Sequence, residues 1–216
     1  MQPLLIYCYD AYCGWCYGFS PVMKQIAENF KNDITIEVLS GGMMTGESMA
    51  PIEKIGSYIQ DAYKNVEELT GIKFGEDFLW HINHSELSDW VMNSEKPAIA
   101  LCIFKEYYPE KQLAFAADLQ YALNYEGRDL DDNEAYLHLL EKYSIQPEAF
   151  YKKLQSEEYK EQAYYEFALC KQLQVTGFPA VLLQEGDSKF HLLARGYTDY
   201  DMLSQRITEA LEAIAT

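Results

Sequence analysis

Positive charge is scarce in this sequence: 17 Lys and Arg stand against 34 Asp and Glu, giving a formal net charge of −17 at pH 7. A chain this acidic repels phosphate backbones and anionic membrane surfaces, so neither nucleic acid nor a membrane is expected as a partner. Most of the charge reads as solvated surface. Long apolar runs are missing too: none approaches the roughly 18 residues of a spanning helix. The opening Met-Gln-Pro-Leu-Leu-Ile-Tyr-Cys-Tyr-Asp has no basic segment, no extended apolar segment and no small-residue cleavage site. A cytoplasmic location is therefore expected. No Gly/Ser linker, internal repeat or low-complexity tract divides the chain. Cysteine is sparse and odd in number, with Cys8, Cys13, Cys16, Cys102 and Cys170 in 216 residues, which excludes a disulfide framework.

What is present is enough for a substantial core. Apolar residues make up 49% of the chain. The 18 tyrosines read as half-buried residues on helix faces, ring packed and hydroxyl wet. Residues 4–9 form a short apolar run suited to a buried strand. A helical pattern then reaches about Lys31, with Phe19, Met23, Ile26, Ala27 and Phe30 at three- and four-residue steps. Residues 34–39 alternate and are β-branched, a second strand that Ser40-Gly41-Gly42 ends. The chain thus opens β–α–β, a right-handed crossover with parallel strands. From Glu47 to Gln155 there is little strand signal. Helices are expected near 51–67, 76–91, 95–107, 110–125, 132–143 and 147–156, with Gly127 as a stop, Asp131 as a cap and Pro147 in a first turn. A further helix over 158–173 precedes a hairpin of 180–184 and 189–194, turned by Glu185-Gly186-Asp187-Ser188. Asp199 caps a last amphipathic helix.

Cys13-Gly14-Trp15-Cys16 carries the chemistry. A Cys-x-x-Cys can be a redox centre, half of a zinc site, or packing. Zinc would need a second pair; the only paired histidines, His81 and His84, lie far off in the helical region, and no metal is expected. The redox reading has a mechanism. A strand delivers Cys13 to the start of a helix, where free N–H groups and the helix dipole favour a thiolate. Cys16 lies one turn further in, less exposed but within reach. Cys8, Cys102 and Cys170 sit in apolar contexts and read as small core residues. A second element, Thr176-Gly177-Phe178-Pro179-Ala180, stands just before the third strand.

The β–α–β … α–β–β–α order, the Cys pair at the first strand–helix join and the Pro179 segment together resemble the thioredoxin superfamily. The large helical insertion resembles its DsbA-type branch. Tyr9-Asp10, Cys13 to Phe19, and Asn93-Ser94 with Pro97-Ala98 resemble the FrnE-like, DsbA-family protein-disulfide isomerases. The resemblance covers nearly the whole chain. It implies an α/β fold with a thioredoxin-like domain at 1–48 and 157–216 and a helical insertion at 49–156. It also implies that Pro179 is cis and faces Cys13, and that the backbone of Phe178 pairs with an extended substrate. Cys13 would be the exposed nucleophile and Cys16 the resolving thiol. The centre of the motif is Gly-Trp, neither the Pro-His of oxidising periplasmic members nor the Gly-Pro of thioredoxin, so redox direction stays open.

The expected function is thiol–disulfide exchange of the protein-disulfide isomerase kind, on protein or small-molecule thiols and disulfides. No bound cofactor is expected. Glutathione could serve as a thiol co-substrate, and glutathione or a thioredoxin system could recycle the pair. Two alternatives stand beside it. One is a glutathione-dependent enzyme like the kappa transferases and hydroxychromene-carboxylate isomerases, which often keep a single catalytic Ser or Cys. The other is a thioredoxin-fold adaptor or holdase. Asp10 reads either as a proton relay to Cys16 or as a loop residue. Trp15 reads either as substrate-facing or as a shield for Cys16. Met43, Met44 and Met49 read either as groove lining or as packing. His138 and His191 read as structural.

Overall fold

The computed structural model describes residues 2–186 and 188–215. β1 (Leu4–Tyr9) pairs parallel with β2 (Thr35–Ser40), joined by α1 (Gly14–Asn29). β5 (Ala180–Glu185) runs antiparallel to β1, and β6 (Lys189–Arg195) antiparallel to β5. The sheet order is β2-β1-β5-β6. β1 is central, and its buried run Leu5–Tyr9 leaves no polar face, as a strand covered on both sides requires. Tyr7 and Tyr9 lie on this strand fully buried, so these two tyrosines depart from the half-buried helical placement expected of the residue type.

Between β2 and α8 (Glu157–Gln172) the chain is mostly helical: α2 (Ile52–Thr70), α3 (Glu76–Asn83), α4 (Glu95–Tyr107), α5 (Gln112–Asn124), α6 (Glu134–Lys142) and α7 (Pro147–Leu154). The expected helix over 76–91 stops at Asn83. The chain turns there and forms β4 (Val91–Met92), which pairs antiparallel with β3 (Ala50–Pro51). Two-residue strands carry no periodicity, so the pattern cannot reveal them. Asp131 is not the cap of α6. Asn133 holds that position, and the Asp132 carboxylate accepts from the Glu134 N–H at 3.3 Å. In the β5–β6 turn Gly186 has φ +65°, and Asp187 lies outside the described residues. α9 (Tyr200–Ala215) is capped as expected, with Asp199 accepting from the Met202 N–H at 2.9 Å.

One apolar core runs from Tyr7, Phe19 and Met23 beneath the sheet to Phe104, Phe115 and Phe150 among the helices. A smaller cluster of Ile6, Cys8, Leu39, Cys170 and Leu182 lies between the other sheet face and α8. The free edge of β2 is closed by side chains rather than by a strand. Gln112 accepts from the Val38 N–H at 2.8 Å and donates to the Ile36 carbonyl at 3.1 Å. Glu166 accepts from the Ser40 N–H at 2.9 Å, and Lys105 bonds both Glu166, at 2.7 Å, and the Val38 carbonyl. These groups block the edge against pairing with another chain. Burial works to lower the Lys105 pKa, but Glu166 and Glu37 outweigh it and raise it.

Gly18 brings α2 to the Cys motif. A Cβ there would meet Val66 at 2.8 Å and Thr70 at 2.9 Å, so only glycine lets α2 lie this close to α1.

Candidate active site

The turn between β1 and α1 is built by Asp10. Its carbonyl accepts from the Cys13 N–H at 3.1 Å, and its carboxylate from the Tyr12 N–H at 3.0 Å. This turn delivers Cys13 to the N-cap of α1 in extended geometry, φ −85° and ψ 105°. The Cys13 sulfur then accepts from the Cys16 N–H at 3.2 Å, where a Ser or Asp oxygen would sit in an ordinary cap. This places a helix-terminal N–H donor on the Cys13 sulfur, at the end of α1 where the dipole is positive. Cys16 is completely buried. Burial, followed by the adjacent Cys13 sulfur, pushes its pKa well above the ordinary thiol value.

Cys13 is only 6% exposed, less than an exposed nucleophile implies. Its access is through a cavity of about 320 Å³ whose wall it shares with Trp15 and Phe178. The Phe178–Pro179 peptide is cis, and the Cys13 thiol lies 3.6 Å from the Phe178 carbonyl oxygen. The structure therefore brings Cys13, Cys16, Trp15, Phe178 and the Pro179 peptide together. Trp15 is half-buried on the cavity wall, its ring 6.5 Å from that of Tyr197. Met43 and Met44 line the same cavity; Met49 does not and is 46% exposed.

Asp10 is buried, and its oxygens are engaged. Oδ1 accepts from Tyr12 and from the Ser94 hydroxyl at 2.8 Å, and Oδ2 from the Met43 N–H at 2.7 Å. The Ser94 hydroxyl in turn accepts from the Met44 N–H at 3.0 Å. Burial raises the Asp10 pKa, and these hydrogen bonds oppose the rise. Asp10 so ties the Cys loop to the segment after β2 and to the start of α4. Gln120 adds a bond to the Asp10 carbonyl at 3.2 Å.

Gly41 is a functional position that the pattern alone passes over as a strand end. A Cβ built there would lie 2.0 Å from the Phe178 ring. The ring rests on the bare Cα, and this seat holds the Phe178 carbonyl beside Cys13. A glycine pair closing a strand is a weak signal by itself, because the aromatic that needs the space lies far away in sequence.

The remaining candidates lie elsewhere. His81 stacks on Trp90 with ring centroids 3.8 Å apart and shares a hydrogen bond with Ser88 at 2.8 Å. His138 and His191 contact Glu126 and Glu185. Cys8, Cys102 and Cys170 are buried away from the cavity. Among the described residues no group of three or more His, Cys, Asp or Glu is placed to hold a metal ion, and no helix is long and apolar enough to cross a membrane.

This geometry has a chemical consequence for reagents. In the reduced, native protein Cys16 stays a neutral, enclosed thiol through neutral pH, since its pKa lies above the ordinary value. Iodoacetamide at pH 7 should therefore label Cys13 first, at least about a hundredfold faster than the other four thiols, which react on unfolding. Peptide mapping of the labelled protein checks this. Comparable labelling of Cys16 would contradict the arrangement.

No curated protein sequence matches this chain. Among solved structures, a candidate protein disulfide isomerase from Nitrosomonas europaea is similar over 99% of this chain and 99% of its own, at 24% identity and a TM-score of 0.86. The cytosolic disulfide reductase DsbM from Pseudomonas aeruginosa is similar over 99% of this chain and 100% of its own, at 25% identity and a TM-score of 0.75. DsbM has also been solved with glutathione. A 2-hydroxychromene-2-carboxylate isomerase shares the fold, covering 98% of this chain and 96% of its own at 13% identity, with a TM-score of 0.63. With residues 5–208 matching its description, the chain belongs to the DSBA-like thioredoxin domain family, the DsbA-like thiol–disulfide oxidoreductases.

Proposed function

We propose that this protein exchanges disulfides through Cys13 and Cys16, as a dithiol–disulfide isomerase or reductase of the cytoplasm. The Cys13 thiolate attacks one sulfur of a substrate disulfide, forming a mixed disulfide and expelling the other sulfur as a thiolate. Cys16 then attacks the Cys13 sulfur and gives up its proton, which ends on a departing substrate sulfur. The second substrate sulfur leaves, and two electrons have passed from the Cys pair to the substrate. The observation that carries this reading is the Cys13 sulfur at the helix N-cap, bonded by the Cys16 N–H at 3.2 Å and opening onto a cavity.

The enclosure of Cys16 bears on direction. A neutral, buried resolving thiol attacks slowly, which lengthens the life of the mixed disulfide and allows substrate thiols to rearrange before release. Phe178 offers its backbone to an extended substrate, and Trp15 and Pro179 flank the attacking sulfur. Asp10 acts here as a positioning residue, through the loop it ties down. The helical segment 49–156 is an insertion that supplies the far wall of the cavity, through α2. The similarity to cytosolic DsbM, solved with glutathione, supports a cytoplasmic setting and glutathione or a thioredoxin system as the recycling reductant.

The test is reduction of insulin and refolding of scrambled ribonuclease, with the redox state of the protein followed in parallel. Catalysis of either, with reversible formation of a Cys13–Cys16 disulfide, is the expected result. No catalysis and no such disulfide would end the proposal. Glutathione-dependent turnover that survives Cys16→Ser would favour the transferase or isomerase chemistry instead.

A further inference from the structure

β1 carries a tyrosine hydroxyl to the Cys pair and leaves it nothing to bond. Alternate residues of a strand share a face, so Tyr7 and Tyr9 both enter the main core, their rings 5.8 Å apart. Cys16 and Phe19 stand three residues apart and share one face of α1. The Tyr7 ring lies 6.0 Å from that of Phe19, and its hydroxyl faces the sulfurs of Cys16 and Cys13. Tyr7 is fully buried, and this hydroxyl completes no hydrogen bond. A buried polar atom left unpaired lowers stability and is rare in native folds. Phenylalanine would fill the same space without that penalty.

The chemistry of Cys16 supplies the missing partner. A neutral thiol is a weak acceptor, whereas a thiolate is a strong one. At rest Cys16 is neutral and the hydroxyl is idle. The Cys16 sulfur carries charge at two moments of exchange: as it attacks to close the disulfide, and as it departs when a substrate thiolate opens it. The other polar groups beside it are ill suited to meet that charge. Its own N–H is given to the Cys13 sulfur at 3.2 Å. The Asp10 carboxylate is an acceptor already engaged, and its charge opposes one on Cys16. Tyr7 can only donate. Burial, then Cys16 and Cys13, push its pKa well above the ordinary phenol value, so it keeps its proton.

We infer that Tyr7 is a catalytic residue of the Cys16 steps: its hydroxyl donates a hydrogen bond to the Cys16 sulfur while that sulfur carries charge. The inference rests on the disulfide-exchange reading. In closing, the Cys13–Cys16 bond forms, and the Cys13–substrate bond breaks with its electron pair and the Cys16 proton ending on the substrate sulfur. In opening, a substrate thiolate attacks Cys13, and Cys16 leaves with the pair, held by Tyr7 until a proton from solvent neutralises it. An interaction made only along the path speeds both directions and leaves the equilibrium unchanged.

The test compares full-length wild type with Tyr7→Phe, using a short cysteine peptide joined to nitrothiobenzoate as the mixed disulfide. Nitrothiobenzoate release reports attack by Cys13, and acid quenching with mass spectrometry follows decay of the peptide adduct as Cys16 closes the disulfide. Attack should stay within about twofold of wild type, while adduct decay slows by about tenfold or more. Opening of the oxidised protein by excess glutathione should slow by the same factor, with the equilibrium against glutathione within about twofold of wild type. Tyr9→Phe is the control. It removes a second buried, unpartnered hydroxyl from the same strand, one that faces Asp10 and Glu166 before Cys16, and all these rates should hold. Thermal unfolding of Tyr7→Phe should fall by no more than a few degrees. Adduct decay at the wild-type rate, an equal slowing in Tyr9→Phe, or a large loss of stability that shows the hydroxyl bonded at rest would overturn the inference and leave disulfide exchange standing. Nitrothiobenzoate release by the wild type at only the Cys13→Ser level would remove the exchange reading, and the inference with it.

Discussion

Cys13→Ser is expected to lower the rate of insulin reduction by at least about a thousandfold, because it deletes the one sulfur that combines access with a helix-terminal N–H donor. A serine hydroxyl can take over the cap, accepting from the Cys16 N–H as the sulfur does, so the loss should come without unfolding. That separation matters, since a variant that merely fails to fold says nothing about chemistry. Thermal unfolding of the variant should match the wild type within a few degrees. The residual thiols offer no substitute. Cys16 is fully enclosed, and Cys8, Cys102 and Cys170 lie buried outside the cavity. Insulin reduction at even a tenth of the wild-type rate would mean that a different group performs the attack.

Gly41→Val is expected to reduce exchange by roughly tenfold to a hundredfold, although residue 41 holds no reactive group. The backbone of Gly41 is not left-handed, so the glycine serves space, not conformation. A valine Cβ would fall 2.0 Å from the Phe178 ring, and the ring must leave. With it goes the Phe178 carbonyl beside Cys13, together with part of the cavity wall. Overpacking of this kind also lowers stability, by about 1–3 kcal/mol. A double-mutant cycle separates the two effects. Once Phe178→Ala has removed the ring, adding Gly41→Val should cost little further activity. Independent, additive losses would show that Gly41 acts by some route other than seating Phe178.

Both predictions draw on parts of the molecule that were unequally legible in the sequence. The β1–α1–β2 opening could be read because alternation in residues 34–39, three- and four-residue steps from Phe19 to Phe30, and the placement of Cys13 are local signals. The Phe178–Pro179 segment could be read only by resemblance, since nothing in its own residues distinguishes it from an ordinary turn. Other features depend on contacts across the fold. The Gly41 seat needs Phe178, and the Asp10 tie needs Ser94 and Met43. Closure of the β2 edge needs Gln112, Lys105 and Glu166, from three different segments of the chain. Each of those polar residues looks like helix surface in a periodicity plot. What turns them inward is a backbone or carboxyl partner that must be satisfied once buried. Asp10 is the clearest case: beside the motif it reads either as a proton relay or as a loop residue, and only the fold brings Tyr12, Ser94 and Met43 to its carboxylate as donors.

The account turns on which sulfur first bonds to substrate. Cys16→Ser protein, incubated with a disulfide-bonded peptide, should stall after that first step, since the thiol that releases the product is gone. Mass spectrometry of the trapped adduct should then place the peptide on Cys13. An adduct on Cys8, Cys102 or Cys170, or a folded protein that forms no adduct at all, would contradict the account.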